Sequence, residues 1–282
     1  MDDFCVFILT HGRPDRVYTY NTLKSHGYSG KIYLVIDNED KSEKEYIERY
    51  GKEVIKFDKV EASKRFDNGD NFNDRRAIVY ARNECFEIAK KIGVKYFLQL
   101  DDDYTNFVYK FDENMAYKES RIFNLDSVFE CMLKYYKSID AITIAMAQNG
   151  DFIGGKNGSF AKNIKPRRKC MNTFFCSTES PFSFVGRINE DVNTYTSEGG
   201  RGKLLLTIPN VAIIQKQTQS NSGGMTDLYL DSGTYIKSFY SVMYSPSCVK
   251  VSEMGDKHKR LHHRVRWNNA VPVILDESVK KR

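Results

Sequence analysis

Read for apolar and polar positions, the chain alternates short apolar runs with amphipathic stretches. Phe4-Cys-Val-Phe-Ile-Leu9 is unbroken and of strand length, the pattern of a central parallel strand buried on both faces. A polar turn follows, Thr10-His11-Gly12-Arg13-Pro14. The spacing then predicts a helix over 17–26, a strand over 31–36 that ends in Asp37, a charged helix over 41–50 and a strand over 53–57. A longer helix is predicted over 74–92, with Ala77, Ile78, Ala81, Cys85, Ile88 and Ala89 on one stripe. Tyr96-Phe-Leu-Gln-Leu100 is the next strand, followed by a helix over 125–138 and a strand over 141–145. This alternation predicts an α/β fold with a mostly parallel central sheet and helices on both faces. Past Gly150 the pattern weakens: 173–176 and 182–185 read as strands, a short helix follows Asp191, and 204–208 and 211–214 read as the last buried strands. Residues 217–226 form a polar Gly/Ser loop with the character of a lid. No repeat or linker marks a cut, so a single domain over 1–282 is expected.

The fourth predicted strand ends in Asp101-Asp102-Asp103. In an open α/β sheet, residues at strand carboxyl ends face the ligand crevice. Three adjacent carboxylates repel one another and lose hydration when buried, so a cation is expected beside them. Hard oxygen ligands suit Mg²⁺ or Mn²⁺, which commonly hold substrate phosphates through one or two carboxylates. A solvated acidic turn would show the same three residues. The turn after the first strand and Asp37 after the second belong at the same edge, where a carboxylate accepts hydrogen bonds from a base or ribose. Arg75 and Arg82 are seven apart on the predicted helix and share a face, as phosphate-binding guanidiniums or as ordinary surface arginines. Asn189-Glu190-Asp191 opens a short helix, where acids favoured by the dipole and a general base look alike. His258 and His262 are four apart and would share a helical face, as metal ligands or as exposed tail histidines.

Composition narrows the classes. The 282 residues carry a formal net charge of +6, with 18 Tyr, 18 Phe and one Trp. No apolar run approaches the roughly 20 residues of a membrane span, and Met1-Asp2-Asp3 lacks a basic leader, so a cytoplasmic protein is expected. The six cysteines are scattered without a CxxC, which points to reduced core thiols rather than disulfides or zinc. Charge is unevenly spread. From Phe152 to Thr178 there is no acidic residue, while Lys156, Lys162, Lys165, Arg167, Arg168 and Lys169 are basic. A second block runs from Lys257 to Arg266. Such blocks suit a polyanion, and either one alone would also serve as a solvated face.

Taken in order from Phe4 to about Trp267, these residues resemble a GT-A glycosyltransferase, the Rossmann-like class that uses nucleotide sugars and a divalent metal. Asp101-Asp102-Asp103 resembles the DxD motif, Ala81-Arg82-Asn83 the ARN element before it, and Asn189-Glu190-Asp191 the xED motif. The phrase Gly186-Arg-Ile-Asn-Glu-Asp-Val-Asn-Thr-Tyr195 and the basic blocks resemble the phage TET-associated DNA-base glycosyltransferases.

The resemblance implies a donor half over 1–110 and an acceptor half over 111–282. It implies Asp101 and Asp103 on Mn²⁺ or Mg²⁺, with His262 of the three tail histidines as third ligand. Thr10, His11, Gly12, Arg13, Asp37, Arg75, Arg82, Asp101 and Asp102 would hold the nucleotide sugar. Asp191, with Glu190, would be catalytic, and Lys165, Arg167, Arg168 and Lys169 would bind DNA. The implied reaction moves a sugar, from a UDP-linked donor, to 5-hydroxymethylcytosine in duplex DNA. A polysaccharide or protein acceptor, or a sugar nucleotidyltransferase, is the rival reading.

Overall fold

The computed structural model describes residues 3–165, 167–216, 234–254 and 259–270. The strands are β1 (Phe4–Leu9), β2 (Lys31–Asp37), β3 (Val54–Phe57), β4 (Tyr96–Asp101), β5 (Tyr104–Phe111), β6 (Tyr117–Arg121), β7 (Ala141–Gln148), β8 (Phe174–Ser177), β9 (Leu204–Gln215), β10 (Val249–Met254) and β11 (Arg260–Val265). The helices are α1 (Tyr18–Ser25), α2 (Glu43–Tyr50), α3 (Lys59–Ser63), α4 (Val79–Lys91), α5 (Leu125–Lys137), α6 (Ser159–Lys162), α7 (Glu190–Gly200), α8 (Thr234–Tyr244) and α9 (Trp267–Ala270).

Nine strands form one sheet in the order β3-β2-β1-β4-β8-β7-β9-β5-β6, and β10 and β11 pair separately. β1 lies parallel between β2 and β4, and only β5 and β8 run against the other strands of the large sheet. The pleat of β1 sends Phe4, Val6 and Ile8 into one core and Cys5, Phe7 and Leu9 into another, which is why the run is apolar throughout. α1 and α5 close the first core through Leu23, Val128 and Phe129. α3, α4 and α7 close the second through Ala62, Cys85, Ile88 and Val192. Burying both faces of a parallel sheet under helices is the α/β arrangement expected from the alternation.

Four expectations are corrected. The helix predicted from residue 74 begins at Val79, because the preceding segment is tied elsewhere. Arg187 pairs with Asp70 and Asp74 at 2.6 and 3.1 Å, and Arg75 pairs with Glu39 at 2.5 Å. Arg75 and Arg82 therefore do not share a helix. Residues 182–185 form no strand: the backbone N–H of Phe184 donates to Asn83 Oδ1 and its carbonyl accepts from Asn83 Nδ2, replacing a ladder. The two strands predicted over 204–214 are one, β9, whose register with β7 shifts around Pro209, a residue that cannot donate to the ladder. Finally, residues 260–265 of the basic tail form β11, paired antiparallel with β10, so His262 sits on a strand and not on a helix. The 217–226 loop and His258 lie outside the described residues.

Candidate active site

The chain runs outward from β1 through β2 to β3, then returns to place β4 on the other side of β1. Connections on either side of that point diverge, which opens a crevice at the strands' carboxyl ends. Leu9 is in register with Asp101, so the Thr10–Arg13 turn and the three aspartates meet there. A cleft of about 1340 Å³ occupies the position.

The three aspartates have different surroundings. Asp102 is 1% exposed; its Oδ2 accepts from Thr10 Oγ1 at 2.6 Å and from Arg13 Nε at 2.7 Å. Thr10, Arg13 and Asp102 thus knot the tips of β1 and β4 together. Asp101 Oδ1 accepts from Arg82 Nη2 at 2.9 Å. Asp103 makes no ion pair among the described residues. Burial, then its aspartate neighbours, push its carboxyl up to about 7, and burial pushes Asp101 up to about 6 despite Arg82.

Arg82 is the buried centre of the site. Its Nε donates to Glu190 Oε1 at 3.0 Å, so one guanidinium joins the end of β4 to the start of α7. The rings of Phe174 and Phe184 lie 4.8 and 5.8 Å from it. Burial opposes the charge, but Asp101 and Glu190 outweigh it and hold the guanidinium above its ordinary range. Nη1 has no partner among the described residues. α7 starts from Asn189 in the left-handed region (φ 55°), and that turn aims Glu190 and Asp191 into the cleft. Burial raises the Asp191 carboxyl above its usual range, against the opposing pull of Lys237 and the Val192 N–H.

One wall is suited to a nucleoside. Asp37 meets His11 Nδ1 at 2.8 Å and Lys59 Nζ at 3.1 Å. Burial would raise its carboxyl, but these two partners hold it below the ordinary range. Gly12 takes φ +68°, a conformation that favours glycine, while its N–H donates to Asp40 at 2.7 Å. Val35, Phe57, Ala77 and Ile78 give the same wall an apolar surface. Lys59 was missed in the sequence. The sheet-edge rule applied to β3, which ends two residues earlier, would have found it.

The opposite wall carries His262 and His263, whose rings lie 4.3 Å apart. Asn189 Nδ2 reaches His263 Nδ1 at 3.3 Å and the Lys237 carbonyl at 2.6 Å, fastening β11 and α8 to the start of α7. Burial lowers both imidazoles, His263 to about 4, so that ring is neutral near pH 7. Arg167, Arg168 and Lys169 line the cleft mouth; Lys165 and Arg75 do not. Asp151, just ahead of the acid-free stretch, pairs with Lys169 and, at 3.5 Å, with Arg167. Arg168 is exposed and has no ion pair among the described residues.

Asp101 and Asp103 fit a divalent ion by donor chemistry: oxygen ligands in a crowded acidic pocket, one of them without a counter-charge. Among the described residues no three His, Cys, Asp or Glu side chains converge closely enough to make a protein-only site, so the set Asp101, Asp103 and His262 is not assembled. Both aspartates have folded pKa values above their unfolded ones, so from about pH 4 to 7 they bind more protons in the folded state, and their contribution to the stability of the metal-free protein falls as pH rises. Glu190 and Asp191 act in the same sense, while Asp37 and Asp74, held below their ordinary range by cationic partners, act in the opposite sense. Protons and metal compete for these oxygens. Mn²⁺ is therefore expected to raise the melting temperature more at about pH 8 than at about pH 5. A melting shift independent of pH, or undiminished in Asp103→Asn, would remove this assignment.

Several solved structures match at low identity and with TM-scores under 0.5. Staphylococcus aureus TarS 1–349 in complex with UDP-GlcNAc is 10% identical, with 85% of this chain and 66% of that chain covered and a TM-score of 0.40. Glucosyl-3-phosphoglycerate synthase from Mycobacterium tuberculosis, with Mn²⁺, UDP and phosphoglyceric acid, is 8% identical over 96% of this chain and 88% of that one, TM-score 0.47. The mannosyltransferase PcManGT from Pyrobaculum calidifontis, with GDP-Man and Mn²⁺, is 8% identical over 86% and 73%, TM-score 0.43. The chain spans 36% of the length of another S. aureus TarS structure. No curated protein matches by sequence. No helix among the described residues is long and apolar enough to cross a membrane. The model of the TET-Associated Glycosyltransferase family matches residues 4–224, from β1 past the end of β9, and the chain belongs to that family.

Proposed function

We propose that this protein transfers a sugar from a nucleoside diphosphate donor, uridine-linked, to the hydroxyl of 5-hydroxymethylcytosine in DNA. One observation carries the reading: a single cleft joins the acids at the tip of β4 to the acids opening α7 through buried Arg82, with a basic stretch at its mouth. The donor nucleoside rests on the wall of Asp37, His11, Gly12 and Lys59. Asp101 and Asp103 would hold Mn²⁺ or Mg²⁺. When bound, the ion supplies Lewis-acid stabilisation of the charge that develops on the leaving diphosphate.

Arg82 sets the spacing of Asp101 and Glu190 through Nε and Nη2, which leaves Nη1, unpartnered among the described residues, for the donor diphosphate. Asp191 accepts the proton of the acceptor hydroxyl if the transfer inverts, and its burial raises its proton affinity toward that role. If the transfer retains, Asp191 positions the acceptor. Arg168, with Arg167 and Lys169, meets backbone phosphates, so affinity for DNA falls steeply with salt.

The test is a screen of UDP- and GDP-sugars with Mn²⁺ on hydroxymethylated and plain DNA, with nucleosides weighed by mass spectrometry. A sugar adduct confined to the hydroxymethylated base is expected. Release of nucleoside diphosphate with DNA unchanged would move the acceptor elsewhere and leave the donor chemistry in place.

A further inference from the structure

Asp191 and Tyr195 are four apart on α7 and share a face of that helix. Tyr195 is 5% exposed, and the indole of Trp267 stacks on it with centroids 5.5 Å apart and 23° between planes. Trp267 itself is 39% exposed and lines the cleft, together with Arg264 and Asn268. Its support is close-fitted: a Cβ on Gly199 of α7 would come within 2.8 Å of the Ala270 carbonyl oxygen, so α9 seats against α7 where the sequence supplies no side chain. One face of the indole is thereby fixed on a buried ring that itself lies one helical turn from Asp191, and the partly exposed indole borders the cleft.

A flat ring held in that way beside a guanidinium is the chemistry that receives a nucleobase, whose π-face stacks while its flanking phosphates meet cations. The opposite wall, with Asp37 and Lys59, already offers the polar groups for a donor nucleoside. We propose that Trp267 is the platform on which the acceptor base stacks after leaving the duplex, which brings its hydroxymethyl group beside Asp191. Enzymes that modify a base inside a duplex commonly extrude it into a pocket of this kind. The inference rests on the DNA-acceptor reading above and adds to it the residue that holds the base.

Trp267 is the chain's one tryptophan, so its emission reports this position alone. The native protein is titrated with a fluorescein-labelled oligonucleotide carrying one 5-hydroxymethylcytosine, and with the same strand abasic at that position. Label anisotropy reads binding, and indole emission reads stacking. The modified strand is expected to bind and quench the indole, and the abasic strand to bind without quenching. Trp267→Ala is expected to raise the KM for DNA by roughly ten- to a hundredfold with the donor KM unmoved, and Trp267→Phe to recover most of the loss. DNA binding with unchanged emission, equal quenching by the abasic strand, or quenching by UDP alone would each overturn the stacking role while leaving DNA as acceptor. Failure of either strand to bind would remove the acceptor reading and this inference with it.

Discussion

Arg82→Met is expected to destabilise the protein by about 3–5 kcal/mol near neutral pH, the range for truncating one member of a buried charged cluster. The side chain is 1% exposed, and its guanidinium is joined to Asp101 and Glu190 on two different elements. Methionine fills much of the volume between Phe174 and Phe184, so lost packing is the smaller part of the effect. The larger part is the two carboxylates left in a buried site without their cation. Both already sit above their ordinary range, and without Arg82 they rise further above their unfolded values.

The folded variant then binds more protons than its unfolded chain over a wider window, so the deficit should shrink as pH falls toward about 5. Denaturant unfolding at two pH values measures it. Arg82→Lys should recover little, because one ammonium cannot present two diverging N–H groups to the two carboxylates. A deficit under about 1 kcal/mol, or one that grows in acid, would show that the cluster is not the tie between β4 and α7 described above.

Asp191→Asn is expected to lower kcat by about a hundred- to ten-thousandfold, the contribution typical of a positioned general base, with the donor KM nearly unchanged. Asparagine keeps the shape and can still accept from the Val192 N–H, which meets Asp191 Oδ1 at 2.7 Å, so α7 should start as before. What it cannot do is take a proton. Asp191 lies beside Glu190, which Arg82 holds, and the two titrate with mutual influence, so the acid limb of the pH–rate profile belongs to the pair. The limb should be lost or displaced in Asp191→Asn. A kcat within a few-fold of the native value would remove Asp191 as base and leave it a role in holding the acceptor.

The wall residues show where reading from sequence stops. Periodicity locates Asp37 and Asp101 because each closes a strand of one continuous parallel run, and strand ends are local properties. It does not distinguish Asp102 from its neighbours, because β4 ends at Asp101 and the next two residues lie in a turn, where strand alternation no longer applies. Only β1 lying against β4 brings Thr10 and Arg13 onto Asp102 and ties it into the framework. The basic stretch is similar. Counting charges between Phe152 and Thr178 finds no acid, yet the fold folds Asp151 back onto Lys169 and Arg167. Nothing in the spacing singles out Trp267 either. Its meaning depends on Tyr195, 72 positions earlier, a distance across the chain that no local pattern spans.

The α/β class, the strand that ends in acids and the helix that opens on Glu190 and Asp191 follow from short-range patterning, because burial on two faces and helix ends each need only a few neighbouring residues. The tertiary structure alone decided which charges are paired: Arg82 with two carboxylates and Arg75 with Glu39, while Asp103 and Arg168 make no ion pair among the described residues. The physical reason is that burial in a protein interior sets a high cost on an uncompensated charge, and which opposite charge lies within reach depends on how sheet and helices meet.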